Sequence, residues 1–168
     1  MTTMSMRVAI LTVSDAGSRG ERVDTSGAAI REIVVGIGGE VGRHEIVPDE
    51  RDRISGTLRA WCDAGDYDLI LSTGGTGLSS RDVTPEATLD IAERLAPGIA
   101  EAMRAEGMRH TPKAMLSRAV AVVRGHTLII NLPGSEKGVR ESLAAIVDVL
   151  PHAVDLLRGV TEHPKPDA

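Results

Sequence analysis

A glycine-rich stretch, "LSTGGTGLSSRDVTPEA" at residues 71–87, is the part of the sequence best suited to bind an anion. Gly74, Gly75 and Gly77 have no side chains, so backbone N–H groups around them can approach phosphate oxygens closely. A helix start at residues 84–86 follows, and a helix N-terminus also favours anions. The stretch is not a Walker A loop, because no Gly-Lys-Ser/Thr follows it. The alternative is a tight turn that needs glycine only for its positive φ.

Two carboxylates flank this stretch in the predicted arrangement of strands and loops. Asp49 comes just after a predicted strand, and Asp82 comes just after the glycines. Two carboxylates beside bound phosphates can hold Mg²⁺, which takes one or two carboxylates together with phosphate oxygens, or they can orient a nucleophile. Equally, Asp49 can cap the helix that follows it, and Asp82 can form an Asx turn. The residue pattern leaves both interpretations open.

A third segment, "NLPGSEKG" at residues 131–138, places Lys137 in the first turn of the last predicted helix. A cation there opposes the helix dipole, unless an anion is shared between the lysine and the helix start. The alternative is an ordinary solvated lysine. The surrounding residues 111–140 carry five basic residues and one acid, although the net charge of the chain is -5. This local excess of positive charge fits a small anion, and it equally fits surface scatter.

Apolar runs of strand length alternate with helical spacing along the chain. Strands are predicted at residues 7–14, 40–48 and 67–73, and a hairpin at residues 119–133 turns at Arg124-Gly125. The strand at 7–14 is predicted to be buried on both faces, which is typical of a parallel sheet. The sequence therefore predicts an α/β fold: a three-layer α/β/α sandwich whose mostly parallel mixed sheet contains one antiparallel strand.

The helices that flank this sheet have recognisable starts and buried faces. Asp24 or Thr25 is expected to cap the first long helix. Thr84 is expected to cap a later helix, with Pro85 at its first position, and Pro97 is expected to end that helix. The apolar spacing assigns Ala87, Ile91 and Leu95 to the buried face of the later helix, and Val139, Leu143, Ile146, Val147 and Leu150 to that of the last one.

Three polar loops follow predicted strands: "SDAGSRG", "GGTGLSSRD" and "NLPGSEK". Ligands of open α/β sheets bind beyond the carboxyl ends of the strands. We therefore expect these loops to gather at one edge of the sheet and to form the site there.

Composition excludes several other classes of function. Phenylalanine is absent, and Trp61 and Tyr67 are the only aromatic residues, so aromatic platforms for base stacking are missing. Together with the acidic net charge, this predicts no nucleic-acid partner. Cys62 is the only cysteine, which favours a reducing cytoplasm. No apolar run approaches the roughly 18 residues of a membrane span, so no membrane partner is expected.

The chain length corresponds to one domain, with 168 residues and no internal repeat or linker. We expect a single domain at residues 7–158, a flexible N-terminus at residues 1–6 and a flexible C-terminal tail at residues 159–168.

Three motifs in order carry a family resemblance: "LTVSDAGSRGERVDTSG", "TGGTG" with "RDVTPEAT", and "PKAMLSRAVAVVRGHTLIINLPGSEKGVRE". Over about residues 7 to 157, the sequence resembles the MogA/MoaB family of molybdenum-cofactor biosynthesis proteins, which includes the gephyrin G domain. The resemblance implies an adenylyltransferase that converts molybdopterin and ATP to adenylyl-molybdopterin and pyrophosphate. It also implies Mg²⁺ as cofactor, a homotrimer, and Asp49 and Asp82 as both the catalytic residues and the metal ligands.

The predicted substrate-binding residues come from the three loops and from these motifs. They are Ser14, Asp15, Thr73, Gly74, Gly75, Thr76, Gly77, Ser117, Asn131, Pro133, Gly134, Ser135 and Lys137. Two alternative functions remain open at this point: a non-catalytic pterin-binding paralogue of the MoaB type, and a nucleotide pyrophosphatase of the competence-damage-inducible type.

Overall fold

The computed structural model describes residues 4–160 and contains one six-stranded sheet with helices on both faces. The central strands form where the sequence has its longest buried apolar, β-branched runs. The strands are β1 (Arg7–Val13), β2 (Glu40–Val47), β3 (Leu69–Thr73), β4 (Arg94–Leu95), β5 (Ala121–Arg124) and β6 (Thr127–Leu132).

The order across the sheet is β2-β1-β3-β6-β5-β4. The first four of these strands are mutually parallel, and β5 runs antiparallel to both of its neighbours. The mixed sheet with one reversed strand is therefore confirmed. Residues Gly125 and His126 form the turn of the hairpin, one position further along the chain than predicted.

Helices cover both faces of the sheet. Asp24 caps the first long helix: its carboxylate accepts a hydrogen bond from the N–H of Gly27. Of the two predicted caps, Asp24 and Thr25, the first is therefore correct. The helices are α1 (Asp15–Ser18), α2 (Thr25–Gly36), α3 (Arg51–Ala64), α4 (Thr84–Leu89), α5 (Pro97–His110), α6 (Glu136–Ile146) and α7 (Leu150–Leu157), with short 3₁₀ turns at Pro112–Leu116 and Val147–Val149.

Alternating side chains of each central strand enter two separate cores. In β1, Val8 and Ile10 pack under α2, α5, α6 and α7, whereas Leu11 packs under α3 and α4 with Trp61 and Cys62. All of these side chains are almost fully buried. The two cores on opposite faces confirm the predicted three layers.

Two details of the helix predicted after the glycine stretch are wrong. Val83 precedes α4, and Thr84 is its first residue, because the Thr84 hydroxyl donates a hydrogen bond to the carbonyl of Gly74 and does not cap the helix. The helix ends at Leu89, and Leu95 is exposed, because the chain leaves the helix and pairs at the sheet edge as β4. Long-range strand pairing thus overrides the local helical spacing.

The predicted flexible ends fall mostly outside the described residues, which begin at Met4 and end at Val160. Within them, Met6 is buried in the core under α2. Among the described helices, none combines the length and the apolar character that crossing a bilayer requires.

Candidate functional site

The candidate site lies at the carboxyl ends of β1 and β3, which are neighbours at the centre of the sheet. The chain leaves β1 toward β2 on one side, and it leaves β3 toward the β4–β6 strands on the other side. A crevice opens where consecutive connections diverge in this way, and ligands of α/β sheets bind in it. The loops that follow β1, β3 and β6 all reach this crevice, as the sequence predicted.

The glycines after β3 are required by close packing and by backbone conformation. Gly74 has φ 99°, and a Cβ there would lie 2.3 Å from the carbonyl oxygen of Val13 at the end of β1. Gly75 has φ 69°, and a Cβ there would lie 2.3 Å from the hydroxyl oxygen of Thr84. The tight-turn interpretation is therefore correct for these two positions, but it does not account for the orientation of the peptides between them and Leu78.

All four carbonyls of residues 74–77 are turned toward the protein. The hydroxyl and the N–H of Thr84 donate to the carbonyls of Gly74 (2.9 Å) and Gly75 (3.1 Å). The N–H and the Nε of Arg118 donate to the carbonyls of Thr76 and Gly77, both at 2.8 Å.

A trans peptide holds its C=O and the following N–H in opposite directions. The N–H groups of residues 75–78 consequently point away from Thr84 and Arg118, and they have no acceptor among residues 4–160. Four neighbouring backbone donors without an acceptor form a concave site for an anion.

A second set of free N–H groups lies at the N-terminus of α6, across the crevice. The hydroxyl of Thr73 donates to the carbonyl of Pro133 (2.6 Å), and Ser26 donates to the carbonyl of Gly134 (2.7 Å), so this loop too is held by its carbonyls. Ser135 caps the helix by accepting from Gly138. The N–H groups of residues 135–137 have no acceptor within the described part of the chain, and they add the positive end of a helix to the site.

The predicted carboxylates lie beside the glycine loop, defined as residues 74–83. Asp49 and Asp15 exchange hydrogen bonds: each carboxylate accepts the backbone N–H of the other, at 2.9 and 3.0 Å. Arg81 binds the Asp15 carboxylate through two nitrogens, at 3.0 and 2.9 Å. Asp82 accepts the N–H of Ser79, three residues earlier, with one oxygen at 3.1 Å, so it binds the loop before it and does not form the Asx turn offered as an alternative.

Negative charge at this point is only partly neutralised. Burial raises the pKa of the Asp49 carboxyl against the hydrogen bond from the Asp15 N–H, and the charges of Asp15 and Asp82 raise it further. The hydrogen bonds from Arg81 lower the pKa of Asp15. Arg81 thus compensates Asp15 directly, whereas Asp49 and Asp82 have no cation bound to their carboxylates among the described residues.

The Asp49 and Asp82 pair fits Mg²⁺ if a phosphate completes the coordination. One oxygen of each carboxylate, Oδ1, accepts no hydrogen bond from residues 4–160 and is available to a cation. No cluster of three or more His, Cys, Asp or Glu side chains suited to a metal occurs in that part of the chain. A hard ion would therefore need substrate oxygens as further ligands, which is how Mg²⁺ is commonly bound.

Two cavities flank the loops that carry the free N–H groups. One of about 280 Å³ is polar and lies over β1 and β3; it contains the predicted residues Ser14, Asp49, Thr73, Gly74, Gly75, Asp82, Gly134 and Ser135. The other, of about 330 Å³, has mostly apolar walls from α5 and α6; it contains the predicted residues Thr76, Gly77, Ser117, Pro133, Ser135 and Lys137. Ser135 borders both, so the cavities meet at the start of α6.

Two predicted residues do not line either cavity. Asp15 supports Asp49 from behind, through the hydrogen bonds described above. Asn131 is fully buried. Its side-chain NH₂ donates to the hydroxyls of Ser72 and Thr88, and its side-chain oxygen Oδ1 accepts from the backbone N–H of Val120. The side chain of Asn131 is therefore part of the core.

Several site residues were missed by the sequence analysis. Arg104 and Lys113 line the larger cavity, and Asp24 and Thr12 line the polar one, where they are hydrogen bonded to each other and to His44. The excess of basic residues at 111–140 includes Lys113, but a general charge count does not single it out. Lys137 lines its cavity with a side chain that is 82% exposed and pairs weakly with Glu141 at 3.8 Å, so both interpretations of it stand.

The fold and the site together define an α/β protein with free backbone N–H groups and two carboxylates at the carboxyl edge of its sheet, beside two cavities. The chain matches, over residues 9–152, the family model described as "Probable molybdopterin binding domain", and it belongs to that family. The predicted family resemblance is therefore confirmed.

Individual relatives agree with this membership. A Helicobacter pylori protein named molybdopterin adenylyltransferase is 41% identical over 157 residues, which covers 92% of this chain and 89% of the relative. The structure of MoaB from Thermus thermophilus, described as a molybdopterin biosynthesis enzyme, is 58% identical with a TM-score of 0.87, covering 92% and 97% of the two chains. A structure of MogA is 37% identical with a TM-score of 0.86, covering 90% and 99%.

Proposed function

We propose that this protein is an enzyme of molybdenum cofactor biosynthesis that transfers an adenylyl group from ATP to molybdopterin. The terminal phosphate oxygen of molybdopterin attacks the α-phosphorus of ATP, the new P–O–P bond forms, and pyrophosphate leaves. The observation that carries the proposal is the row of free N–H groups at residues 75–78, which lines the same two cavities as the start of α6 with its own free N–H groups. Relatives named molybdopterin adenylyltransferase support the same activity.

The two cavities suit the two substrates. The polar cavity beside Asp49 and Asp82 suits the triphosphate of ATP, which carries most of the charge. The larger cavity, with walls from Ala100, Met103 and Leu116, suits the flat pterin ring. The reacting phosphates would meet where the cavities join, beside Ser135.

Positioning and charge neutralisation supply the catalysis in this proposal, because no covalent enzyme intermediate is required. The N–H groups of the glycine loop and of α6 hold phosphate oxygens at fixed positions, and Lys137 adds a positive charge at the helix start. Asp49 and Asp82 would hold Mg²⁺, which when bound neutralises phosphate charge and orients the oxygens of ATP. The Asp15 carboxylate, already bound by Arg81, keeps Asp49 in place.

We further propose a homotrimer in the cytoplasm, where ATP is available. The assembly is supported by exposed apolar side chains near the sheet edge and on the adjoining 3₁₀ turn: Leu95, Met115 and Leu116 are 63%, 59% and 49% exposed. Sedimentation would show a single species of three chains, and a 17.7 kDa monomer at micromolar concentration would contradict the trimer.

The decisive experiment measures pyrophosphate release with ATP, Mg²⁺ and molybdopterin, each omitted in turn. Release that requires all three supports the proposal. Binding of the pterin without release would instead indicate a pterin-binding paralogue of the MoaB type. Release of AMP from a dinucleotide in the absence of pterin would indicate a nucleotide pyrophosphatase.

A further inference from the structure

Arg118 lies between the 3₁₀ turn at Pro112–Leu116 and β5, and it holds the glycine loop. Its Nε donates to the carbonyl of Gly77 at 2.8 Å, its Nη2 donates to the carbonyl of Asp82 at 2.7 Å, and its Nη1 pairs with the carboxylate of Glu86. Its own backbone N–H donates to the carbonyl of Thr76 at 2.8 Å. One partly buried side chain therefore binds the loop at Gly77 and at Asp82, and it also binds Glu86 in the following helix, α4.

These contacts decide which way the loop peptides face. A carbonyl held by Arg118 turns the N–H of the next residue to the opposite side, since every described peptide is trans. The Arg118 side chain thus fixes the N–H of Leu78, and the backbone N–H of Arg118, which a substitution retains, fixes that of Gly77. By holding the carbonyl of Asp82, the side chain also fixes the backbone from which that carboxylate projects.

We propose that Arg118 is a positioning residue for adenylyl transfer: it holds the glycine loop in the orientation that presents its N–H groups and Asp82 to the reacting phosphates. This proposal rests on the proposed function for its effect on turnover, but not for its effect on the loop. Arg118 does not touch the phosphates in this view, since its three nitrogens are bound to the loop and to Glu86.

A lysine cannot replace this arginine. The three acceptors are reached by three different nitrogens of a planar guanidinium, whereas a lysine presents its donors from one nitrogen. The charge of lysine could still neutralise Glu86, whose second carboxylate oxygen is buried without a hydrogen-bond partner among the described residues. Arg118→Lys therefore separates the geometric contribution from the charge contribution.

Hydrogen exchange on the ligand-free protein tests the loop contacts directly. The amides of Gly74, Ser79 and Thr84 report on the loop because each donates to an acceptor within or beside it. We expect them to exchange at least about tenfold faster in Arg118→Lys and Arg118→Ala than in the wild type. Unchanged exchange in both variants would overturn the proposal.

Arg51→Ala is the matched control. Arg51 makes a two-nitrogen ion pair with Asp90, at 2.7 Å for both contacts, at the end of α4, and it donates no hydrogen bond to the glycine loop. Exchange at the loop amides should be unchanged in this variant. Equal acceleration in Arg51→Ala would show a general loss of stability and would overturn a specific role for Arg118.

Turnover tests the catalytic consequence. We expect both Arg118 variants to lose about 100-fold in kcat while the KM for ATP changes less than about fivefold, because a misplacement of about 1 Å costs rate more than binding. Guanidinium at tens of millimolar should restore part of the kcat of Arg118→Ala and leave Arg51→Ala unchanged. A wild-type kcat in the Arg118 variants, or a loss of kcat in folded Arg118→Ala that guanidinium leaves unaltered, would contradict the positioning role. If the wild type itself releases no pyrophosphate, the proposed function fails, and the exchange result still decides whether Arg118 holds the loop.

Discussion

Replacing Gly74 by alanine tests the packing on which the site depends. Its φ of 99° is one that residues with a Cβ rarely adopt, and the added Cβ would lie 2.3 Å from the carbonyl oxygen of Val13. That oxygen belongs to the backbone at the end of the central strand β1, so it cannot rotate out of the way as a flexible side chain would. The loop and β1 must move apart by roughly 1 Å to reach an ordinary contact distance.

The magnitude follows from two costs. The backbone conformation costs about 1–2 kcal/mol for a residue with a Cβ, and the forced displacement adds about 1–3 kcal/mol, as overpacked cores do. We therefore expect Gly74→Ala to lower the free energy of unfolding by about 2–5 kcal/mol. The same movement displaces the free N–H groups from the phosphates, so kcat should fall about 100-fold.

Gly125→Ala is the control for the backbone cost alone. Gly125 has φ 57° in the hairpin turn between β5 and β6, and a Cβ there would meet no atom within 4 Å. We expect it to lower the unfolding free energy by about 1–2 kcal/mol and to leave kcat unchanged. Urea titrations and pyrophosphate release measure both quantities. If Gly74→Ala loses no more stability than Gly125→Ala and keeps full activity, the close approach of the loop to β1 is not required.

Three further predictions concern charged side chains. Burial raises the pKa of Asp68, but hydrogen bonds led by those from Arg158 outweigh it and hold the pKa at about 2, below the ordinary 3.8. This depressed pKa contributes about 2 kcal/mol of stability, fully present above about pH 5 and lost as the pH falls toward 2, so urea titrations of Asp68→Asn should show a shallower decline over that range. Asp82→Asn should keep the fold and most of the ATP affinity but lose most of the turnover, and Asp49→Asn should behave alike. Full activity in either variant would show that the carboxylate serves only to accept its backbone hydrogen bond, from Ser79 or from Asp15, since Asp49 does not cap α3. Lys137→Ala should weaken the binding of ATP or of the pterin at least about tenfold at low salt and less at high salt, whereas a change below about twofold for both would identify a solvated lysine.

The parts of the fold that the sequence predicted are those set by local composition. The buried runs at β1, β3 and β6 were predicted as strands from their composition, and Asp24 was one of the two residues predicted to cap α2. The two-residue strand β4 escaped because nothing local defines it: Arg94 and Leu95 are a strand only through their pairing with Val122 and Val123. The same missed strand explains Leu95, which the helical spacing assigned to a buried face and which is exposed on β4.

The candidate site was predictable to the extent that topology determines it. Three loops that follow parallel strands must meet at one edge, and this rule brought Ser14, Gly74 and Gly134 together. Asn131 belongs to the same sequence motif as Gly134, but it is still within strand β6, and its side chain is buried in the core. Membership in a motif therefore did not distinguish a residue that faces the ligand from one that supports the sheet beneath it.

The direction of the loop peptides could not be predicted, because it is fixed by partners far away in the sequence. Glycine explains why residues 74–77 can adopt many conformations, and that freedom alone leaves their N–H groups without a defined direction. Thr84 and Arg118 supply the direction by binding all four carbonyls, and the guanidinium of Arg118 lies 41 positions from the carbonyl of Gly77 that it holds. A flexible loop becomes an ordered set of phosphate donors only when such distant donors bind its carbonyls. The same logic predicts that substitutions behind the loop will reduce turnover as strongly as substitutions within it.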